Sequence, residues 1–261
     1  MFTMWKELMN YRELLIAFTW RNIQIKYKQT FLGFLWALFM PILIILSGVF
    51  VRVGIAKMSG LQVNAQEIAS VTVKSLPWAF FIGALKFSVG SLVANMEIVK
   101  KIYFPRVIFP LSYTFGQLFD FLIAATFFAL FLVFFKLGAT IYLLWLPILL
   151  ILLVLYTAGL GMILSCGNLF YRDVKYIVDV VLTFAIFFTP VFYEAHVFGR
   201  WAPLIMLNPV ASLLECINAV IVLKMAPSAF WLSYATVASI VTFIIGWAVF
   251  HAAEPSFAEN I

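Results

Sequence analysis

Charge is scarce in this sequence. Asp, Glu, Lys and Arg make up 11% of its 261 residues, against about 25% in a soluble domain, so a soluble globular fold is excluded. Cysteine and histidine are scarcer still, at two each. Cys166 and Cys216 show no ligand spacing and are expected at opposite ends of a membrane, which leaves neither a disulfide nor a metal set. His196 and His251 are separated in the same way and share no site. The chain also lacks a G-x-x-x-x-G-K-[ST] loop and an H-E-x-x-H pair. It is therefore not expected to be an enzyme, and any ATP it depends on must be hydrolysed elsewhere. A cleavable leader is not expected, because the first thirty residues are charged throughout and the first apolar run is too long.

What is present is hydrophobic length. Apolar residues make up 65% of the chain, and several runs exceed the roughly 20 residues that cross a bilayer. The reading is an all-α polytopic membrane protein with six spans, at about 31–51, 76–95, 107–135, 141–167, 176–193 and 230–250. Residues 1–30 form a separate cytoplasmic amphipathic interface helix ahead of the transmembrane domain, 31–261. Asn10 and Glu13 fit a capping box. Tyr11, Leu14, Leu15, Phe18 and Ile25 fall on one helical face, as in a helix lying in the membrane surface.

Details of the spans follow from their punctuation. Pro41 predicts a kink in the first span, and Arg52–Ser75 reads as a polar external connection. Pro77 opens the second span. Lys136–Thr140 is a tight external turn. In the fourth span, G-L-G-M-I-L-S permits close helix approach. Between spans five and six, Pro203, Pro209 and Pro227 break a partly apolar stretch, as two short re-entrant external helices would. Lys and Arg are biased toward the segments that lie inside if both termini do, which gives N-in and C-in. The net charge of +6 thus speaks for orientation rather than for nucleic acid.

One stretch between spans carries concentrated charge: Asn95–Pro110, N-M-E-I-V-K-K-I-Y-F-P-R-V-I-F-P. It must leave the hydrocarbon, and its basic excess places it inside. Two readings stand, a purely topogenic loop or a short cytoplasmic helix, Met96–Tyr103, that docks into a partner. Lys86 and Asp120 each fall half-way along their spans, so an ion pair is the cheapest arrangement. A proton or ion site is the alternative. Asp179, within a turn of the inner interface, is read as solvated. Phe184, Phe187, Phe188 and Phe192 suit lipid contact or helix packing, the alternative being rings that line a passage for sugars.

Taken together the motifs resemble a known family. W-R-N-I-Q-I-K-Y-K-Q-T-F-L-G-F-L-W-A-L-F-M-P at 20–41 resembles the opening of polysaccharide-exporting ABC transporter permeases, the type-2 (Wzm-like) group. N-M-E-I-V-K-K-I-Y-F-P-R-V-I-F-P-L is similar to their loop after span two. L-S-C-G-N-L-F-Y-R-D-V-K-Y-I with T-P-V-F-Y is similar to their connection between spans four and five and the outer end of span five. L-N-P-V-A-S-L-L-E resembles their re-entrant element, and E-P-S-F-A-E-N-I their tail.

The resemblance implies a homodimer in the bacterial cell inner membrane, working with two separate ATPase subunits. This chain would bind no cofactor, with ATP and Mg held on the partner. The implied substrate is a lipid-linked polysaccharide, most simply O-antigen on undecaprenyl diphosphate. Teichoic-acid or capsular polysaccharide is the alternative, followed by a drug or lipid exporter and a gradient-driven carrier. Met96, Glu97, Lys100, Lys101, Tyr103 and Arg106 would couple to the ATPase. Arg21, Lys26 and Lys28 would meet the substrate's headgroup as it enters. Trp36, Phe39, Phe184, Phe188, Thr189 and Tyr193 would line a passage bounded by spans one and five. Asn208, Pro209 and Glu215 would close its outer end.

Overall fold

A computed structural model describes residues 8–28, 33, 35–59, 65–101, 104–134 and 140–257. All regular structure among them is helical: α1 (Arg12–Tyr27), α2 (Leu35–Ser59), α3 (Ala65–Val89), α4 (Ser91–Ala94), α5 (Met96–Lys101), α6 (Ile108–Phe134), α7 (Leu146–Phe170), α8 (Asp173–Phe188), α9 (Ala202–Met206), α10 (Pro209–Ile221) and α11 (Ala229–Ala253). Short 3-10 turns precede α7 and α9 and follow α11. Among the described residues, five segments are long and apolar enough to cross a membrane: Leu35–Met58, Ala65–Val89, Ile108–Leu130, Ile141–Phe170 and Ala229–Phe257. The chain is an all-α polytopic membrane protein. α8, where a further span is expected, has 16 residues, about 24 Å at helical rise.

The expected polar connection at Arg52–Ser75 is a correction. α2 continues to Ser59 and α3 begins at Ala65, so only 60–64 separate them, and these lie outside the described residues. Arg52 pairs with Glu67 across the two helices at 3.0 Å. Polar side chains there decorate helices instead of interrupting them. Pro77 accordingly sits deep inside α3 and not in its first turn, and Pro41 lies inside α2. The turn expected at Lys136–Thr140 falls mainly outside the described residues.

Side-chain pairs set the register between neighbours. Phe80 meets Phe121, Phe87 stacks on Tyr113, and Ser88 meets Thr114, so α3 and α6 run antiparallel. Across α2 and α3, Gly48 lies against Val71 while Arg52 meets Glu67. At the centre, α7 and α11 approach backbone to backbone. A Cβ on Gly246 would stand 2.3 Å from the Gly159 carbonyl oxygen, and one on Gly159 would stand 2.7 Å from that of Thr242. Small residues therefore allow the close approach that G-L-G-M-I-L-S suggests.

The interior divides into two layers. One joins α3, α7 and α10 around Trp78, Phe81, Leu149, Leu153 and Leu213. The other gathers Phe18, Leu92, Val99, Phe109, Phe250 and Phe257 at the end of the bundle that carries residues 95–110, here called the proximal end. The end of α11 lies there. α9 and α10 lie at the opposite, distal end.

α1 is turned differently from expectation. Its N-cap is Tyr11, without a side-chain cap, and Asn10 is already helical, so the capping box does not form. Phe18 packs edge-on against Phe109 at 5.2 Å, Asn22 donates to Ser112 at 3.1 Å, and Lys26 reaches Asp120. These residues, four apart, form the face laid along α6. Ile16, Trp20 and Ile25 point outward and are exposed. The docked face is mixed, with Phe18 and Ile23 buried beside Asn22 and Lys26, while several apolar residues are left outward.

Candidate functional site

The proximal end assembles from α1, the 95–110 stretch and the tail of α11. Asn95 caps the turn between α4 and α5 by donating to the Ser91 carbonyl at 2.8 Å, and it accepts from Arg21 Nη2 at 2.5 Å. α5 covers Met96–Lys101. It buries Val99 and leaves Glu97 exposed, so one side of the helix is docked on the bundle. Tyr103 lies outside the described residues, as do the side chains of Lys100 and Lys101. Arg106 is engaged with the chain's tail. Its backbone N–H donates to Glu254 Oε1 and its Nη1 to the Glu254 carbonyl, both at 2.8 Å. Arg106 is thus a brace onto the chain's tail, whose Phe257 is fully buried against Phe250. Neither Glu254 nor Phe257 stood out in the sequence beyond the tail motif.

Asp120 sits within this end's reach, but not with Lys86. Its carboxylate accepts from Lys26 Nζ and from the Tyr27 hydroxyl. Burial, and then the Asp120 carboxylate beside it, push the Tyr27 phenol well above its ordinary pKa, so it remains a donor. The pair with Lys86 fails on register. Phe80–Phe121 and Phe87–Tyr113 put Lys86 level with Phe115 of α6 and Asp120 level with Phe81 of α3. Five residues of helix, about 7–8 Å, separate the two charges in depth. Lys86 instead faces Asp179 of α8 at 3.8 Å, each side chain more than 40% exposed.

Of the three cations expected at the substrate's point of arrival, two are committed elsewhere. Arg21 holds Asn95 and stacks over Phe18 at 4.6 Å, and Lys26 holds Asp120. Lys28 is exposed. Between α1, α3 and α6 opens a cleft of about 280 Å³ lined by Asn22, Lys26, Phe87, Tyr113, Gln117 and Asp120 among others. Among the described residues no three His, Cys, Asp or Glu side chains gather as a metal set. Cys166 and Cys216 are buried free thiols.

Four of the six expected passage-lining residues, Trp36, Phe39, Phe184 and Phe188, are exposed on α2 and α8. Tyr193 is partly buried, its hydroxyl donating to the Phe187 carbonyl at 3.0 Å. Thr189 is a correction. It is fully buried and accepts from Asn208 Nδ2 at 3.1 Å, so it anchors the distal end and lines nothing.

That distal end is built on Asn208 and a lysine missed in the sequence. Asn208 caps α10, its side chain accepting from the Val210 N–H at 3.1 Å, with Pro209 at the first helical position. Pro has no N–H to leave orphaned there. Glu215 is not free to gate. It accepts from the Ala195 N–H at 3.1 Å and from Lys74 Nζ at 3.4 Å. Lys74 has no exposed surface and also donates to the Tyr193 carbonyl at 2.6 Å. A buried cation needs such partners. Lys74 escaped notice because it lay in the segment read as an external connection.

Comparison with known proteins adds the following. The family described as ABC-2 type transporter matches residues 13–222. An O-antigen export system permease protein RfbA of Klebsiella pneumoniae is 26% identical over 254 residues, covering 95% of this chain and 94% of that protein. A second Klebsiella pneumoniae protein of that name is 28% identical over 204 residues, 77% of each. A Myxococcus xanthus protein of the same name is 26% identical over 259 residues, 98% of each.

Proposed function

The chain belongs to the ABC-2 type transporter family, and from that premise we propose that it is the permease subunit of an O-antigen exporter. The observation that carries the reading is near-complete alignment: two relatives named as O-antigen export permeases match over 95% and 98% of this chain. The proximal end is the cytoplasmic one, with N-in and C-in topology in the bacterial inner membrane. Two copies work with two ATPase chains that bind ATP and Mg, since this sequence has no phosphate-binding loop. The cargo is a polysaccharide on a lipid diphosphate carrier.

In this reading α5 is the coupling helix. Val99 and Met96 root it in the proximal core, the contact with the ATPase is assigned to Glu97, Lys100 and Lys101, and Arg106 braces its base. Deleting the gene should remove O-antigen from the cell surface and leave lipid-linked glycan inside. Unchanged surface glycan in the deletion strain would refute the function. Lys100→Glu with Lys101→Glu should lower both export and permease-stimulated ATP hydrolysis with normal membrane insertion. Normal export from that double variant removes the coupling role of α5 and leaves the transport reading intact.

A further inference from the structure

The Lys86–Asp179 pair stands apart from the other charges of the proximal half. Arg21, Lys26 and Arg106 are each tied to an oxygen at hydrogen-bond distance. Lys86 and Asp179 meet at 3.8 Å, with side chains 42% and 43% exposed. Both sit inside the bundle's length: Asp179 is six residues, about 9 Å, beyond the start of α8, and Lys86 is level with Phe115 of α6. Charges at that depth are costly against hydrocarbon and mark an aqueous path or a bound partner. Lys175 and Tyr176 lie four and three residues before Asp179 and share its helix face, and both are exposed. The constellation is therefore two cations, one carboxylate and one ring, with a net positive charge.

We propose that Lys86 and Lys175 form a binding site for the diphosphate of the lipid carrier, with Asp179 as the resting counter-ion that the diphosphate displaces. The site rests on the export function above and names where its substrate's headgroup is held. A loose, half-exposed pair is the kind that exchanges: its carboxylate gives little through solvent, whereas a diphosphate offers more charge and several acceptor oxygens to both ammonium groups. Lys26 is poorly suited to that role, because its carboxylate partner is nearly buried and also holds Tyr27. The exposed Tyr176 ring offers a face to the first sugar beyond the diphosphate, nearer the cytoplasmic mouth than Asp179.

The test uses the full chain in phosphatidylethanolamine nanodiscs doped with undecaprenyl diphosphate, counting retained lipid by mass spectrometry. Lys86→Gln and Lys175→Gln should each cut retention about tenfold, the loss of one charge-assisted contact. Lys86→Arg should retain the lipid, and Asp179→Asn should raise retention because nothing has to be displaced. Opposite signs for Lys86→Gln and Asp179→Asn distinguish a binding site from a structural pair, whose two halves would fail together. Equal losses in both variants, or retention by Lys86→Gln equal to that of the native chain, overturn the site. If the native chain retains no diphosphate lipid while the intact transporter exports glycan, the site is wrong and the function stands. If export is also absent, the function falls first.

Discussion

Asp120 shows what one side chain settles. A carboxylate half-way along a helix must find a partner, because an unpaired charge there costs several kcal/mol. Composition made that demand legible without identifying the partner. Lys86 is a neighbour on the adjacent antiparallel helix, yet α3 begins well before the expected span and its register with α6 is set by ring pairs and by Gln117 against Gly83. Those contacts carry no sequence signature. The partner comes from α1, whose Lys26 the family resemblance assigns to the headgroup. Double-mutant cycles separate the two. Lys26→Met with Asp120→Leu should show a coupling of about 1 kcal/mol or more in thermal unfolding, while Lys86→Met with Asp120→Leu should be additive within about 0.5 kcal/mol. Coupling in the second cycle and none in the first would restore the original pair.

At the scale of elements, apolar runs announced the long helices, and their ends were hidden by polar decoration. Residues 52–75 hold Arg52, Lys57, Gln62, Asn64, Gln66, Glu67 and Lys74, which lower hydropathy without breaking helix, so a loop was inferred where two helix ends lie. The misplacement also concealed Lys74, whose partners Tyr193 and Glu215 are more than a hundred residues away in sequence. α7 is the opposite case, since G-L-G-M-I-L-S is legible as a surface for close approach, whereas its partner Gly246 on α11 stands in no such motif. The crossing makes its own prediction. Gly246→Ala would press a methyl into the Gly159 carbonyl and should cost about 2 kcal/mol or more, at the upper end of overpacking losses. Gly54→Ala on α2, with open space around it, should leave stability unchanged or raise it by up to about 1 kcal/mol. Equal melting temperatures for the two variants would show that the helices part easily there.

For the whole molecule the question is what covers α2 and α8. Only 6% of the best-spanning window of α2 is buried, and α8 buries Val178 and Leu182 alone. Both helices lean on α3 and leave most of their surface to something outside the chain. Their registers agree. Arg52–Glu67 puts Trp36 level with Gly83 and Phe39 level with Phe80. Lys86–Asp179 and Lys74–Tyr193 put Phe184 level with Ile82 and Phe188 level with Trp78. The exposed rings of the two helices therefore stand at two matching depths, which suits a wall that sugars pass more than unordered lipid contact. Cysteines at 36, 39, 184 and 188 test this on a quiet background, because Cys166 and Cys216 are buried. Labelling by a water-soluble maleimide should fall several-fold at all four sites when glycan synthesis is switched on. Thr189→Cys should stay unlabelled in both states, since that side chain is sealed under Asn208. Reaction at the four sites only with lipid-phase reagents, the same with and without glycan, would place these rings against lipid and move the passage to another face.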